Sequence, residues 1–330
     1  MEKPKIFATR RILPAGMDLV VASCQADIWE GELPPPRSDL LQRVRGVEGL
    51  LSMLADKIDG EVMDAAGPGL KVISTYAVGV DNIDLAEAAR RGIPVGHTPG
   101  VLTDATADFA FALLMAATRR VAEADRHVRA GKWRTWRPST LLGMEVHGST
   151  LGIIGFGRIG QAMARRAQGF GMHVLYYDHH AYAKPKANEI QAESVDLDTL
   201  LAQADIISLH VPLTGQTEKM INAEALSKMK KGAVLVNTAR GSVVDQDALF
   251  AALSSGQLAA AAIDVCDPEP LPMDSPLLNL ENLVITPHIA SAGRQTRQRM
   301  AVMAAENLLA GLRGEKLLHC ANQKLLDERR

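Results

Sequence analysis

Leu151-Gly-Ile-Ile-Gly155-Phe-Gly157-Arg-Ile-Gly160 is the stretch that decides how this chain folds. An apolar strand runs directly into G-x-G-x-x-G, and a helical stretch rich in Ala, Met, Gln and Arg follows. Each glycine meets a need that a side chain would obstruct. Gly155 makes the tight turn, Gly157 lets the backbone approach a pyrophosphate, and Gly160 lets helix and strand pack closely. The helix N-terminus then offers N–H groups and the positive end of the helix dipole to phosphate. The next apolar run, His173–Tyr177, ends at Asp178, at the distance where a dinucleotide-binding βαβ unit carries its acidic residue. A carboxylate there accepts hydrogen bonds from the adenosine ribose hydroxyls and repels a 2′-phosphate. His179 and His180 follow, with no arginine before Lys184. These residues predict NAD(H) as the preferred cofactor, with NADP(H) as the second choice.

The same alternation spreads in both directions. Before the fingerprint, Lys5–Thr9, Gly49–Leu54, Lys71–Thr75 and Ile93–Gly96 read as buried strands. Asp39–Val44, Ile58–Ala66 and Leu85–Arg91 between them carry helical spacing, and a long helical pattern runs from about Asp104 to Ala130. After Leu151–Ile154 come the strands His173–Tyr177, Asp205–His210, Ala233–Asn237, Ala260–Val265 and Leu283–Thr286. Helical segments intervene near Ile159–Gly169, Leu197–Ala202, Ala223–Met229 and Asp247–Ser254, and a last helix spans about Arg294–Leu312. Alternating β and α elements predict an α/β fold with parallel sheets covered on both faces. Two such series predict two α/β domains, with a boundary near Thr98-Pro-Gly100 where Pro and Gly interrupt both periodicities.

Length agrees: 330 residues at about 150 per domain make roughly two domains. Thirty-six basic and 38 acidic residues leave a net charge of −2, which argues against a nucleic-acid partner or a polybasic membrane patch. Cys24, Cys266 and Cys320 are odd in number and form no C-x-x-C, so neither a disulfide framework nor a zinc site is expected. The paired His179 and His180 lack a third ligand nearby, and no metal is expected. Met1–Arg10 has no apolar core of a signal peptide, and the apolar run Phe109–Ala117 is too short to span a bilayer. The expectation is a soluble protein of a reducing cytoplasm.

Three polar residues follow later strands, where open α/β sheets place their ligands. Arg240 follows Val234–Asn237, Glu269 follows the strand ending at Val265, and His288 follows Val284-Ile-Thr-Pro287. Singly, each has an ordinary explanation as a surface charge, a loop carboxylate or a partly buried imidazole. Together with the glycine turn they form a pattern. Gly155–Gly160, Asp178, His210-Val-Pro-Leu-Thr214, Asn237-Thr-Ala-Arg-Gly241, Asp264-x4-Glu269 and Pro287-His288 occur in this order over nearly the whole chain. The series resembles the D-2-hydroxyacid dehydrogenases. Tyr76-Ala-Val-Gly-Val-Asp-Asn-Ile-Asp84, Thr98-Pro-Gly-Val-Leu-Thr-Asp104, Trp133-Arg-Thr-Trp136, Pro268-Glu-Pro-Leu-Pro272 and Asn307-Leu-Leu-Ala-Gly-Leu-Arg-Gly314 are most similar to its glyoxylate and hydroxypyruvate reductase branch.

That resemblance implies two Rossmann-like domains with an active-site cleft between them. Residues 101–291 would bind the dinucleotide, while 1–100 with 292–330 would form a discontinuous substrate-binding domain. It implies His288 as acid/base, Glu269 as its partner and Arg240 as substrate anchor. Reducing a small 2-keto acid to its D-2-hydroxy acid delivers hydride to C2 and builds negative charge on the oxygen. A histidinium can protonate that oxygen near neutral pH, a carboxylate stabilises the charged ring, and an arginine fork can hold carboxylate and carbonyl oxygens together. By the same match, Val78 and Gly79 would hold the substrate carboxylate through backbone N–H groups, and Leu54, Leu102 and Ser291 would line the pocket. Thr106, Arg158, Ile159, Pro212, Thr238, Asp264 and Ala290 would contact cofactor. In that branch a tryptophan matching Trp136 reaches the neighbouring subunit's active site, which implies a homodimer. Many reductases of the branch have a basic stretch after the second strand and use NADP; this chain has Asp178 and two histidines instead. Other readings of the same scaffold are a dehydrogenase of a phosphonate, phosphoglycerate or bulkier 2-keto acid, and a dinucleotide-sensing protein akin to the corepressor relatives.

Overall fold

The computed structural model describes residues 2–179 and 189–329; His180 and Lys184 lie outside the described residues. The chain divides into two compact units, Met1–Leu102 with Ala292–Arg330, and Thr103–Ser291.

The first unit holds five strands, β1 (Lys5–Ala8), β2 (Gln25–Ile28), β3 (Gly49–Ser52), β4 (Val72–Thr75) and β5 (Val95–Gly96), in the order β2-β1-β3-β4-β5. Every pairing is parallel, in the doubly wound order whose direction reverses between β1 and β3. Strands β3 and β4 are buried along their whole length, as strands covered on both faces are. Hydropathy does not mark β2, because this edge strand, Gln-Ala-Asp-Ile, has no fully buried residue. It also passes over the helix Pro14–Ser23, which opens with Pro14 at a position where the missing N–H costs nothing.

The C-terminal helix Arg294–Leu312 packs into this same unit. Ile6, Val20, Leu51, Val72, Ala301, Ala304 and Leu308 share one core. Small residues allow the close approach. A Cβ on Gly16 would lie 2.1 Å from the Ala301 carbonyl oxygen, and one on Gly311 would lie 2.5 Å from Val72. The Ser74 hydroxyl adds a hydrogen bond of 2.8 Å to the Ala304 carbonyl.

The second unit has seven parallel strands. They are β6 (Thr150–Ile154), β7 (His173–Tyr177), β8 (Ala192–Ser194), β9 (Ile206–Leu209), β10 (Ala233–Asn237), β11 (Leu258–Ile263) and β12 (Leu283–Ile285). Their order is β12-β11-β10-β9-β6-β7-β8. The direction of winding reverses between β6 and β9, which opens a crevice at their carboxyl ends. One core lies around Leu114, Leu151, Phe156 and Tyr176, and a second around Leu200, Leu209, Leu235 and Ile263. Asp196, Asn222 and Asp245 cap the helices that follow them by accepting from first-turn N–H groups.

The long helical pattern from about Asp104 to Ala130 is two helices, Thr103–Thr118 and Val121–Arg129. Arg120 separates them with a φ of +54° in the left-handed region, which no helix continues through. The second of these helices buries none of its residues. Residues 130–140 beyond it are all exposed, including Trp133 at 64% and Trp136 at 78%. Among the described residues no helix is long and apolar enough to cross a membrane.

Candidate active site

The glycine turn after β6 has a separate physical reason for each of its three glycines. Gly155 has a φ of +94°, and a Cβ there would lie 2.7 Å from the His210 carbonyl. Gly160 would bring a Cβ to 2.1 Å from the Gly155 carbonyl oxygen. Gly157 differs, since nothing lies within 4 Å of its missing Cβ. It caps the helix Arg158–Gln168 in extended conformation, so the free N–H groups of the first turn, with exposed Arg158 and half-buried Ile159, border open space. Asp178 stands beside the turn, and its Oδ2 accepts the Phe156 N–H at 2.7 Å. This hydrogen bond joins the end of β7 to the loop after β6. His210, at the end of β9, is held neutral because burial lowers its imidazole to about 4, and its Nε2 lies 2.9 Å from the Ser208 hydroxyl.

These features fit a dinucleotide: an open glycine, a helix N-terminus and a carboxylate fixed beside both. Thr238, past the end of β10, adds a buried hydroxyl with no hydrogen-bond partner among the described residues. Thr106 is buried in the helix Thr103–Thr118, and Pro212 is exposed after β9.

A second group gathers after β10, β11 and β12. Asn237 shapes the first of these loops, and its motif alone does not reveal the role. Its Oδ1 accepts from the Ala239 N–H at 3.0 Å and its Nδ2 donates to the Arg240 carbonyl at 2.8 Å. Gly241 permits the loop to lie on the neighbouring one, since a Cβ there would be 2.1 Å from the Cys266 carbonyl. Arg240 donates through Nη1 to the Ala239 carbonyl at 2.8 Å. Glu269 accepts the Cys266 N–H on Oε1 at 3.1 Å and faces His288 Nδ1 with Oε2 at 2.9 Å. Burial by itself would raise the Glu269 carboxyl, but the bond and charge of His288, the Cys266 N–H and the nearby Arg240 outweigh it and hold Glu269 below the usual carboxylate range. A carboxylate on Nδ1 keeps the proton on that nitrogen, so Nε2 is the atom that can exchange a proton elsewhere.

His288 has a φ of +53°, a sparsely populated conformation for a residue with a side chain. Asp264 holds it there. The His288 N–H donates to the Asp264 carbonyl at 2.8 Å. The Asp264 carboxylate takes the Thr286 hydroxyl at 2.6 Å, the Ile289 N–H at 2.9 Å and the Ala290 N–H at 2.7 Å. Resemblance gives Asp264 a cofactor contact; in the structure both of its oxygens are engaged by the turn that carries His288. Asp264 and Ala290 are buried and Ser291 is half-buried.

In the first unit, Leu54 lies half-buried after β3, Val78 and Gly79 half-buried after β4, and Leu102 is buried. Among the described residues, the N–H groups of Ala77, Val78, Gly79 and Val80 donate to no carbonyl or side chain of this unit. Successive unpaired N–H groups of this kind make an anion-binding concavity.

Comparison with known proteins shows what the chain is similar to. Residues 111–290 match the family model for the D-isomer specific 2-hydroxyacid dehydrogenase, NAD binding domain. The chain is 52% identical over 328 residues to a glyoxylate reductase of Korarchaeum cryptofilum, covering 99% of this chain and 98% of the relative. A crystal structure of a protein from Thermus thermophilus superposes with a TM-score of 0.89 at 49% identity, covering 96% of this chain and 99% of that one. An NADPH-dependent glyoxylate/hydroxypyruvate reductase from Sinorhizobium meliloti, solved with NADP and malonate, superposes with a TM-score of 0.85 at 31% identity, covering 97% of this chain and 98% of that one. Fold and site thus define a nicotinamide-dependent oxidoreductase. The chain belongs to the D-isomer specific 2-hydroxyacid dehydrogenase family.

Replacing Asp264 by Asn puts an NH2 group where the turn needs an acceptor. Asp264→Asn is expected to destabilise the protein by about 1–3 kcal/mol in urea unfolding and to speed hydrogen exchange at the Ile289 and Ala290 amides. Unchanged protection of those two amides would show that the carboxylate does not hold the turn.

Proposed function

We propose that this enzyme reduces glyoxylate, and hydroxypyruvate beside it, to the D-2-hydroxy acid, with NADH as the preferred reductant. The observation that carries the reading is the His288–Glu269 pair at 2.9 Å, next to a loop that presents Arg240. The bound nicotinamide supplies the hydride for C2. His288 supplies the proton for the developing alkoxide, through Nε2. Glu269 fixes the ring through Nδ1 and stabilises its charged form. Arg240 holds carboxylate and carbonyl oxygens with its planar fork, which lysine cannot reproduce. We assign the first unit to substrate binding, with the Val78 and Gly79 N–H groups on the carboxylate and Leu54 and Leu102 beside the small side chain. Residues 103–291 are assigned to the dinucleotide.

Reduction consumes a proton, so the rate falls as pH rises. Glu269 stays ionised well into acid because its carboxyl is held low. Glu269→Gln removes the negative charge that favours imidazolium, so the falling limb of kcat/KM against pH should move to lower pH. His288→Ala should lower kcat by about 10²–10⁴-fold. A His288→Ala variant with normal turnover of glyoxylate would remove the assignment.

Asp178 is the basis for preferring NADH. Its carboxylate is anchored beside the glycine turn, where a 2′-phosphate would meet like charge. A preference of about 10²-fold corresponds to roughly 2.7 kcal/mol. Asp178→Ser with His179→Arg should move kcat/KM toward NADPH by removing the repulsion and adding a phosphate-binding fork. The check is kcat/KM for both cofactors at saturating glyoxylate; higher kcat/KM with NADPH in the unmodified protein would overturn the preference.

The exposed segment with Trp133 and Trp136 supports a homodimer in which Trp136 joins the neighbouring copy's substrate pocket. Two indoles this exposed are unusual on a monomer surface. Light scattering should give twice the 35.5 kDa of the chain. Trp136→Ala should raise KM for glyoxylate and leave NADH affinity alone, whereas a monomer with full activity would count against the pocket role.

A further inference from the structure

Among the described residues, the loop after β4 keeps the N–H groups of Ala77, Val78, Gly79 and Val80 unpaired within its unit, yet its carbonyls are tied. The Thr98 N–H donates to the Ala77 carbonyl at 2.8 Å, and the Ile83 N–H donates to the Val80 carbonyl at 3.0 Å. Between them, the Val78 carbonyl meets a side chain, His97 Nδ1, at 3.0 Å. A carbonyl only accepts, so Nδ1 carries the proton in this bond.

A trans peptide plane places its C=O and N–H on opposite sides. Holding the Ala77 carbonyl therefore aims the Val78 N–H, and holding the Val78 carbonyl aims the Gly79 N–H. Both clamps come from consecutive residues after β5. Thr98 acts through its backbone, which no substitution short of proline removes. His97 acts through a side chain, on the one peptide that ends in a glycine and is freest to rotate.

His97 is itself well fixed. Asn307, 1% exposed on the C-terminal helix, donates from Nδ2 to the His97 carbonyl at 2.9 Å. The His97 N–H donates to the His319 carbonyl at 3.2 Å. Gly96 lets Asn307 come close, since a Cβ there would be 2.6 Å from the Asn307 Cβ.

We propose that His97 is a positioning residue for substrate: its Nδ1–H locks the Val78–Gly79 peptide so that the Gly79 N–H is presented to the keto-acid carboxylate. The proposal rests on the reading of this enzyme as a 2-keto-acid reductase and adds a determinant of substrate affinity remote from the hydride. It also gives the C-terminal helix a part in binding, through Asn307.

The test uses three variants. His97→Leu fills similar space without a donor. His97→Asn keeps an N–H donor at the δ position. His97→Gln moves the donor one atom farther. For His97→Leu and His97→Gln, KM for glyoxylate should rise about three- to ten-fold, the loss of one hydrogen bond's worth of orientation. Oxalate, a non-reducible dicarboxylate, should lose affinity by the same factor in calorimetric titration of the NADH-loaded protein. The kcat and the NADH dissociation constant should stay near those of the unmodified protein. His97→Asn should restore both KM and oxalate affinity to within about twofold. Unchanged oxalate affinity in a folded His97→Leu or His97→Gln protein would overturn the proposal, as would His97→Asn impaired as deeply as His97→Leu. Unmodified protein that binds oxalate but reduces no 2-keto acid would defeat the functional reading and leave the clamp standing. Unmodified protein that does not bind oxalate would defeat the clamp.

Discussion

Parallel pairing is the constraint on which the rest of this protein depends. When strands run parallel, all their carboxyl ends lie on one edge of the sheet, and every loop that leaves that edge is a neighbour of the next. In the seven-stranded sheet this edge collects the glycine turn after β6, Asp178 after β7, His210 after β9, Arg240 after β10, Asp264 and Glu269 after β11, and His288 after β12. Residues far apart in sequence thus meet without any long excursion of chain. The reversal of winding between β6 and β9 keeps crossover helices from covering that edge where Gly157 opens it.

The edge can be used because loops there are locked by backbone contacts and by polar side chains that satisfy backbone groups. Gly155, Gly160 and Gly241 are each pressed against a neighbouring carbonyl, so one loop sets the position of the next. Asn237 holds the Arg240 loop through two hydrogen bonds. Asp264 holds the His288 turn through its carboxylate and its carbonyl. The left-handed backbone of His288 persists because the surroundings over-determine it, and the same rigidity keeps the imidazole on Glu269. The first unit uses the same device on a smaller scale, with His97 and Thr98 aligning the peptides after β4.

Much of the fold was legible in local pattern. The strands buried on both faces, β3, β4, β6, β9 and β10, read as mostly apolar runs, because a polar group facing a covering layer must find a partner there, as Ser74 does on the Ala304 carbonyl. Besides the helix Pro14–Ser23, the elements that local pattern does not mark lie where burial is partial: the edge strand β2, the short β8, and the helix Gln323–Asp327 with no buried residue. The break at Arg120 escaped because left-handed backbone at a non-glycine residue has no compositional mark. At the site, Arg240, Glu269 and His288 stood out as isolated polar residues after strands. Asp264 and His97 act on backbone groups that only the folded chain brings near them, while Asn237 acts on Ala239 and Arg240 within its own loop.

By itself, the sequence determined that an α/β chain would bind a dinucleotide, because strand, glycine spacing, helix and Asp178 are local and each follows from short-range sterics and electrostatics. Tertiary structure alone decided which oxygen of Glu269 faces His288, that the Asp264 carboxylate is engaged by the turn after β12, and that the C-terminal helix returns to lie against Gly16 and Val72. These depend on distances between segments far apart in the chain. Such distances are set by how the layers pack, which no periodicity along the chain records.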